Sequence, residues 1–297
     1  MPTVTLWKTF KIARNVKLFL RLNAGISHGV VPDPVQEKDR QIRVQARQLE
    51  QMKKLLPEKS VQRALWEAAK NHTQWEAAKV GEVEWWQNWL ATQGDDWPWE
   101  YPHRLEPEQP LQDRIISYLN TPPGAEASIL DVGAGPLTTL GKRWEERTVR
   151  ITAVDPLASE YKRILDQAGI TPPVPTQPGE VERLTELFPS NHFDLVHMQN
   201  ALDHSYDPLV GIRQMLEVVK PGGYVLLLHD ENEAHRQNYS GFHLWNFCAE
   251  NGHFTVWNRE TRISVNDAMD NIAEITVDDS GYERGYDKPV FVSLKKK

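Results

Sequence analysis

After residue 126 short apolar runs recur between stretches of helical spacing. The runs are "SILDVG", "RITAVD", "FDLVHM" and "GYVLLLH", each rich in branched aliphatic residues and each ending in polar or small ones. Runs of this kind alternating with helices predict a mostly parallel sheet with helices on both faces. Ligands of such sheets sit at the carboxyl ends of the strands. Before residue 126 the pattern is helical, above all from Asp39 to Gly94. Ser60 reads as an N-cap before "VQRALWEAAKNHTQWEAAK", and Gly94 suits a helix C-terminus. "WEAAK" occurs twice, at Trp66 and Trp75, without a sustained period, so no repeat array is read.

The flanks divide the chain. "TLWKTFKIARNVKLFLRLN" (Thr5 to Asn23) is basic and amphipathic, and "GVVPDPVQ" (Gly29 to Gln36) is a proline-marked linker. Pro98, Pro102, Pro107 and Pro110 predict an extended crossing into the sheet domain. The expected organisation is a basic segment and linker at 1–36, a helical Trp-rich cap or oligomerisation region at 37–110, and the sheet domain at 111–297. Residues 5–23 are expected to pack on their own domain or on a sister subunit in a homo-oligomer; a peripheral membrane anchor is the alternative.

Charge sharpens this division. The formal net charge of −7 hides twelve Lys/Arg against five Asp/Glu in residues 1–60, a surplus of +7 that leaves −14 on the other 237 residues. An acidic body argues against a nucleic-acid partner. A single cysteine, Cys248, allows no internal disulfide and fits a reducing, cytoplasmic setting. Eight of the eleven tryptophans precede residue 100, five of them in "EVEWWQNWLATQGDDWPWEYPHRLEP". Such indoles either pack the core of a cap or offer flat faces to a sugar ring.

The first predicted strand ends in "ILDVGAGP". Gly133 and Gly135 let the backbone turn and approach a ligand without a Cβ in the way. A dinucleotide fingerprint needs a third small residue where this chain has Thr138, so a nucleoside ligand without a pyrophosphate fits better. The second strand ends in "AVDP", and Asp155 there can accept both hydroxyls of a ribose.

"ILDVGAGP", "AVDP", "FDLVHMQNALDH" and "LEVVKPGGYVLLLH", in that order, resemble the class I S-adenosylmethionine-dependent methyltransferases over roughly residues 110–297. The resemblance implies a Rossmann-like seven-stranded sheet, its edge hairpin supplied by "NIAEITVDD" and "KPVFVSLKK". It also implies S-adenosylmethionine as cofactor. Asp131, Gly133 and Gly135 would face the methionine part, Asp155 would hold the ribose, and Glu180 and Val181 would border the adenine. Asn200 and Ala201 would lie beside the methionine part, and "KPGG" would form a structural turn before the fifth strand.

Strands four and five both end in acid–histidine groups: Asp203-His204 in "NALDHS", and His229-Asp230-Glu231 in "LLLHDENEAHR". Lying side by side, their ends would converge beside the transferable methyl. A hydroxyl acceptor is a poor nucleophile, and a neutral histidine held by a carboxylate can take its proton. His204, oriented by Asp203, is the expected base, with His229 contacting substrate or supporting the loop. Structural alternatives are His204 packing over the cofactor and Asp203 capping the helix near Pro208. A Mg²⁺ held by Asp203, Asp230 and Glu231, as in some sugar methyltransferases, is a second route. "ENEAHRQNYSGFHLWNF" offers the polar and aromatic groups of an acceptor pocket, although packing accounts equally for Phe242, Trp245 and Phe247. This tract and "GDDWPWEYPHRLEP" resemble methyltransferases of bacterial polysaccharide and glycan synthesis. The expected activity is therefore O-methylation of a saccharide hydroxyl. The alternatives are another small-molecule or lipid-linked acceptor, or a non-catalytic cofactor-binding subunit.

Overall fold

The computed structural model describes residues 59–95, 97–278 and 289–297. The stretch at 5–23, the linker at 29–36 and the helical pattern before residue 59 lie outside them. The chain divides into two compact units, Met1–Lys70 and Asn71–Lys297. Helix α1 (Lys59–Ala91) carries the Trp-rich segment into the second unit, where Trp75, Trp89 and Leu90 are buried. Gly94 ends this helix as expected: its φ is +113°, and its amide donates to the Trp89 carbonyl at 2.9 Å.

The proline-rich crossing differs from the sequence reading. Glu100–Leu105 forms a short helix, α2, with Pro102 in its first turn. There the missing N–H has no intrahelical acceptor to lose, so proline is tolerated. Arg104 fastens α2 to the sheet domain through the Leu137 carbonyl (2.9 Å) while pairing with Glu100. Another short helix, α3 (Asp113–Ile116), follows.

The main sheet contains β1 (Glu126–Val132), β2 (Thr148–Asp155), β3 (Thr176–Pro178), β4 (Phe193–Gln199), β5 (Val219–Asp230), β9 (Ala273–Asp278) and β10 (Pro289–Lys296). Their order is β3-β2-β1-β4-β5-β10-β9. The first five are parallel, while β10 runs antiparallel to both β5 and β9, the edge hairpin expected from the sequence. This is the Rossmann-like, mostly parallel seven-stranded sheet that the sequence predicted. "KPGG" lies at the irregular start of β5, where a Cβ on Gly223 would sit 2.7 Å from the Asp194 carbonyl.

Neighbouring residues of each strand face opposite sides. Leu130, Val132, Val154, Val196, Met198, Val225 and Leu227 pack with α4 (Ala158–Ala168), α6 (Pro208–Val218) and the end of α1. Ile129, Leu195, Leu226 and Phe291 meet Leu111, Ile115 and Leu140 on the other side. Burial on both faces is why these strands read as continuous apolar runs rather than as alternation. Helices α5 (Leu184–Leu187), α7 (Glu233–Arg236) and α8 (Val265–Met269) complete the unit, with a small sheet of β6 (Asn246–Glu250), β7 (His253–Trp257) and β8 (Arg262–Ser264). The chain reverses direction across the sheet between β1 and β4, so the crevice at their carboxyl ends is the fold's natural ligand position. Among the described residues no helix is long and apolar enough to cross a membrane.

Candidate active site

A cavity of about 790 Å³ opens at these strand ends. The turn after β1 forms its floor. Gly133 and Gly135 have φ of +66° and +64°, the left-handed region that glycine occupies without strain. A Cβ on Gly133 would lie 2.4 Å from the Ala201 Cβ, and one on Gly135 would lie 2.8 Å from the Trp86 ring. Both glycines are therefore required by close approach as well as by dihedral angle.

Asp131 and Thr138 fix that turn. One Asp131 oxygen takes the Thr138 hydroxyl, and the other lies 2.7 Å from His197 Nδ1. Thr138 Oγ1 in turn accepts the Leu140 amide at 3.1 Å. The residue standing where a dinucleotide site has its third glycine is thus a tether. Asp131 lines the cavity, but both its oxygens are engaged within the protein.

Asp155 ends β2 with its carboxylate over the glycine turn. Oδ2 accepts the Gly135 amide at 3.1 Å and Oδ1 the Leu157 amide at 2.9 Å. Burial pushes its pKa up to about 7 against the lowering effect of these two bonds, and Glu82 adds to the rise. Glu82 belongs to α1 and accepts the Trp86 indole N–H at 3.0 Å. Beyond Asp155, Glu180 and Val181 both line the cavity. Glu180 takes the Tyr206 hydroxyl at 3.1 Å. Buried Glu182 accepts the amides of Tyr206 and Asp207, and burial raises its carboxyl to about 8.

Asn200 follows β4 in a left-handed conformation (φ +46°), with its amide on the Leu228 carbonyl, and it lines the cavity together with Ala201. The short 3₁₀ turn Leu202–His204 then places Asp203 beneath the wall, 2% exposed, and His204 in the wall. Asp203 does not cap α6; Asp207 does, accepting the Val210 amide at 3.1 Å.

The partner of Asp203 is a residue the sequence reading passed over. His243 Nδ1 lies 2.8 Å from Asp203 Oδ2, within hydrogen-bond range, whereas His204 Nε2 stands at 3.4 Å, beyond it. His204 instead stacks on Phe242, at a centroid distance of 5.5 Å and an interplanar angle of 25°. Burial opposes ionisation of Asp203, yet the nearby His204 and the hydrogen bond from His243 hold its carboxyl below the usual value. Burial also opposes charge on His243, but the Asp203 bond, with Glu233 and Glu82 nearby, lifts its pKa above the ordinary one. Glu233 lines the same wall, and burial followed by repulsion from Asp203 raises its carboxyl to about 7.

Of the two expectations at the end of β5, one is narrowed and one is corrected. His229 is 2% exposed, packs against Phe247 and does not line the cavity; burial lowers its pKa to about 4. An enclosed ring fits the loop-support half of the expectation for His229 and not the substrate-contact half. The proposed Mg²⁺ set of Asp203, Asp230 and Glu231 is not assembled either. Asp230 reaches the cavity, but Glu231 does not line it and acts on buried Cys248, whose thiol is pushed up by burial and by that carboxylate. Two imidazoles surround Asp203 instead, unlike the all-oxygen shell that Mg²⁺ favours.

The tryptophans divide between buried and exposed positions. Trp75 and Trp89 are core, while Trp85, Trp97 and Trp99 are 41%, 43% and 51% exposed and line the cavity. Phe242, Trp245 and Phe247 are all buried, and the Trp245 indole donates to the Ser205 carbonyl at 3.0 Å. Packing, rather than a sugar-facing surface, accounts for Trp245 and Phe247; Phe242 also borders the cavity.

Solved structures align with this chain at low identity. The complex between the Haloferax volcanii Trm112 methyltransferase activator and its methyltransferase aligns at 12% identity, covering 72% of this chain and 96% of that one, with a TM-score of 0.44. Phosphoethanolamine N-methyltransferase 2 of Haemonchus contortus, in complex with S-adenosyl-L-methionine, aligns at 14% identity over 61% of this chain and 51% of that one, with a TM-score of 0.40. A carbon methyltransferase, CurJ, aligns at 12% identity over 59% of this chain and 50% of that one, with a TM-score of 0.38. No curated protein gave a significant match to the sequence. The family model described as "Methyltransferase domain" matches residues 102–265, more than half of the chain, from within α2 to the start of α8, and the chain belongs to that family.

Proposed function

We propose that this methyltransferase uses S-adenosylmethionine and methylates a hydroxyl oxygen of a saccharide or glycan intermediate. The observation that carries the reading is continuity: one cavity runs from the glycine turn and Asp155 to the imidazoles of His204 and His243. The cofactor fits what the chain offers. Gly133 leaves a cradle that a Cβ would fill, and Asp155 presents a carboxylate for the two ribose hydroxyls. Thr138 in place of a third glycine matches a ligand without a pyrophosphate. Glu180 and Val181 would border the adenine, and Asn200 and Ala201 the methionine part. When bound, S-adenosylmethionine supplies an electrophilic methyl on a sulfonium.

The chain's own contribution is to hold the acceptor in line, exclude water and take up a proton. For the acceptor class, the exposed indoles of Trp85, Trp97 and Trp99 offer apolar faces at the cavity. Glu100, Arg104 and Gln237 line the same cavity and add directional polar groups. Apolar ring faces flanked by such groups suit a pyranose.

The test is S-adenosylhomocysteine release in the presence of a panel of methyl glycosides, nucleotide sugars and non-sugar alcohols, with cofactor binding followed by calorimetry. Cofactor binding with sugar-dependent release is expected. No binding of S-adenosylmethionine would refute the cofactor, and release only with non-sugar alcohols would refute the acceptor class.

A further inference from the structure

The geometry points to His243, held by Asp203, as the group that takes the acceptor's proton, with His204 as a contact for the acceptor rather than the base. This inference rests on the methyl-transfer reading above. It begins from the two distances at Asp203 Oδ2: 2.8 Å to His243 Nδ1 and 3.4 Å to His204 Nε2. A buried carboxylate that accepts Nδ1–H fixes the tautomer, leaving the lone pair on Nε2. His243 lines the cavity, so its ring is available to an acceptor there. His204 has no such bond, and its ring lies on Phe242, 4.8 Å from the His243 centroid at 72°.

Position along the chain supports the division of roles. Asp203 sits on the turn after β4, and His243 arrives 40 residues later from the segment joining α7 to β6. The Leu244 amide donates to the Asp203 carbonyl at 3.1 Å, so backbone and side chain of Asp203 both hold this segment in place. The charged groups facing His243 are Asp203 from the turn, Glu233 from α7 and Glu82 from α1, with His204 beside it. The three carboxylates favour the protonated ring against the opposing effect of burial, so His243 takes up a proton more readily than an ordinary imidazole.

In the reaction the acceptor O–H bond breaks and its proton goes to His243 Nε2. The oxygen pair forms the new O–CH₃ bond as the S–CH₃ pair returns to sulfur, leaving a neutral thioether. The imidazolium is stabilised by Asp203 and releases its proton to solvent at the open side of the cavity before the next turnover.

The first test needs no acceptor. Nitrogen-15 histidine spectra of the full chain, with His243 assigned through His243→Gln, should show neutral His243 as the Nδ1–H tautomer. Its pKa should lie above the ordinary histidine value and fall in Asp203→Asn. An Nε2–H tautomer, or a pKa indifferent to Asp203→Asn, would overturn the proposal. The second test uses whichever methyl glycoside of the panel is turned over. His243→Gln should lower kcat about 10²-fold or more with S-adenosylmethionine affinity within about twofold, and should abolish the acid limb of the kcat profile. His204→Gln should act mainly on KM and keep that limb. The proposal fails if His204→Gln removes the limb while His243→Gln keeps it, or if a chelator abolishes activity and a divalent metal restores it. Loss of cofactor binding by the wild-type chain would instead defeat the underlying methyl-transfer reading, which calorimetry separates from both.

Discussion

With the ribose held by Asp155 as proposed, the raised pKa of that carboxyl makes cofactor affinity depend on pH in a way that can be calculated. In the free protein the buried carboxyl titrates near 7, because burial outweighs the Leu157 and Gly135 amides and Glu82 lies nearby. Accepting two ribose hydroxyls requires the ionised form, so binding must expel a proton whenever the free carboxyl is protonated. With a pKa of about 7, roughly a tenth of the protein is ionised at about pH 6 and roughly nine tenths at about pH 8. S-adenosylmethionine should therefore bind about tenfold more weakly at the lower pH, close to 1.4 kcal/mol. The sign follows from linkage: affinity rises with pH through the free-state pKa and levels off above it. Calorimetry in buffers of different ionisation enthalpy should register nearly one proton released per cofactor at the acid end and almost none at the alkaline end. Asp155→Asn should weaken binding and flatten the profile, and Glu82→Gln should shift its midpoint downward. Titrations belonging to the cofactor itself persist in Asp155→Asn, so subtraction isolates the carboxylate. An identical pH profile in wild type and Asp155→Asn would refute the assignment of the ribose to Asp155.

Three further outcomes follow from the packing. Gly133→Ala places a Cβ 2.4 Å from that of Ala201 at a φ of +66°, and should cost about 1–3 kcal/mol of stability and reduce cofactor binding, as read by denaturant melts and calorimetry. Thr138→Val removes a buried donor from Asp131 and should destabilise by about 1–3 kcal/mol, whereas Thr138→Ser should retain most of the stability in the same melts. His229 has its pKa lowered to about 4, so its contribution is full above about pH 6.5 and is lost as pH falls through the folded value; His229→Phe should make that part of the acid stability profile shallower, by up to about 3 kcal/mol.

How much of this was legible from the sequence depends on the range of the interaction involved. Gly133, Gly135 and Asp155 were readable because a turn after one strand and an acid ending the next are set by local backbone geometry and by the parallel crossover. The strands and the edge hairpin were readable from burial on both faces and from the order of motifs. The helix at Glu100–Leu105 was not, since proline in a first turn and proline in an extended run look alike until the N–H acceptors are known.

Within the candidate site, Asp203 and His204 were found because they are adjacent at a strand end, and for the same reason they were paired with each other. Adjacent residues on a tight turn seldom present their side chains to one another in hydrogen-bond geometry. The structure supplies a partner from 40 residues further along, His243, in a tract whose aromatic residues suggested packing. Direction is decided at the same level: β5 turns His229 away from the cavity, and Glu231, just past the strand, does not line it, separating a set that sequence proximity had joined. Sequence by itself determined the sheet, the glycine turn at the end of β1 and the presence of acid and histidine side chains at the ends of β4 and β5. Which imidazole meets the carboxylate was decided only by tertiary structure, because a hydrogen bond depends on tenths of an ångström between segments that local patterning does not relate.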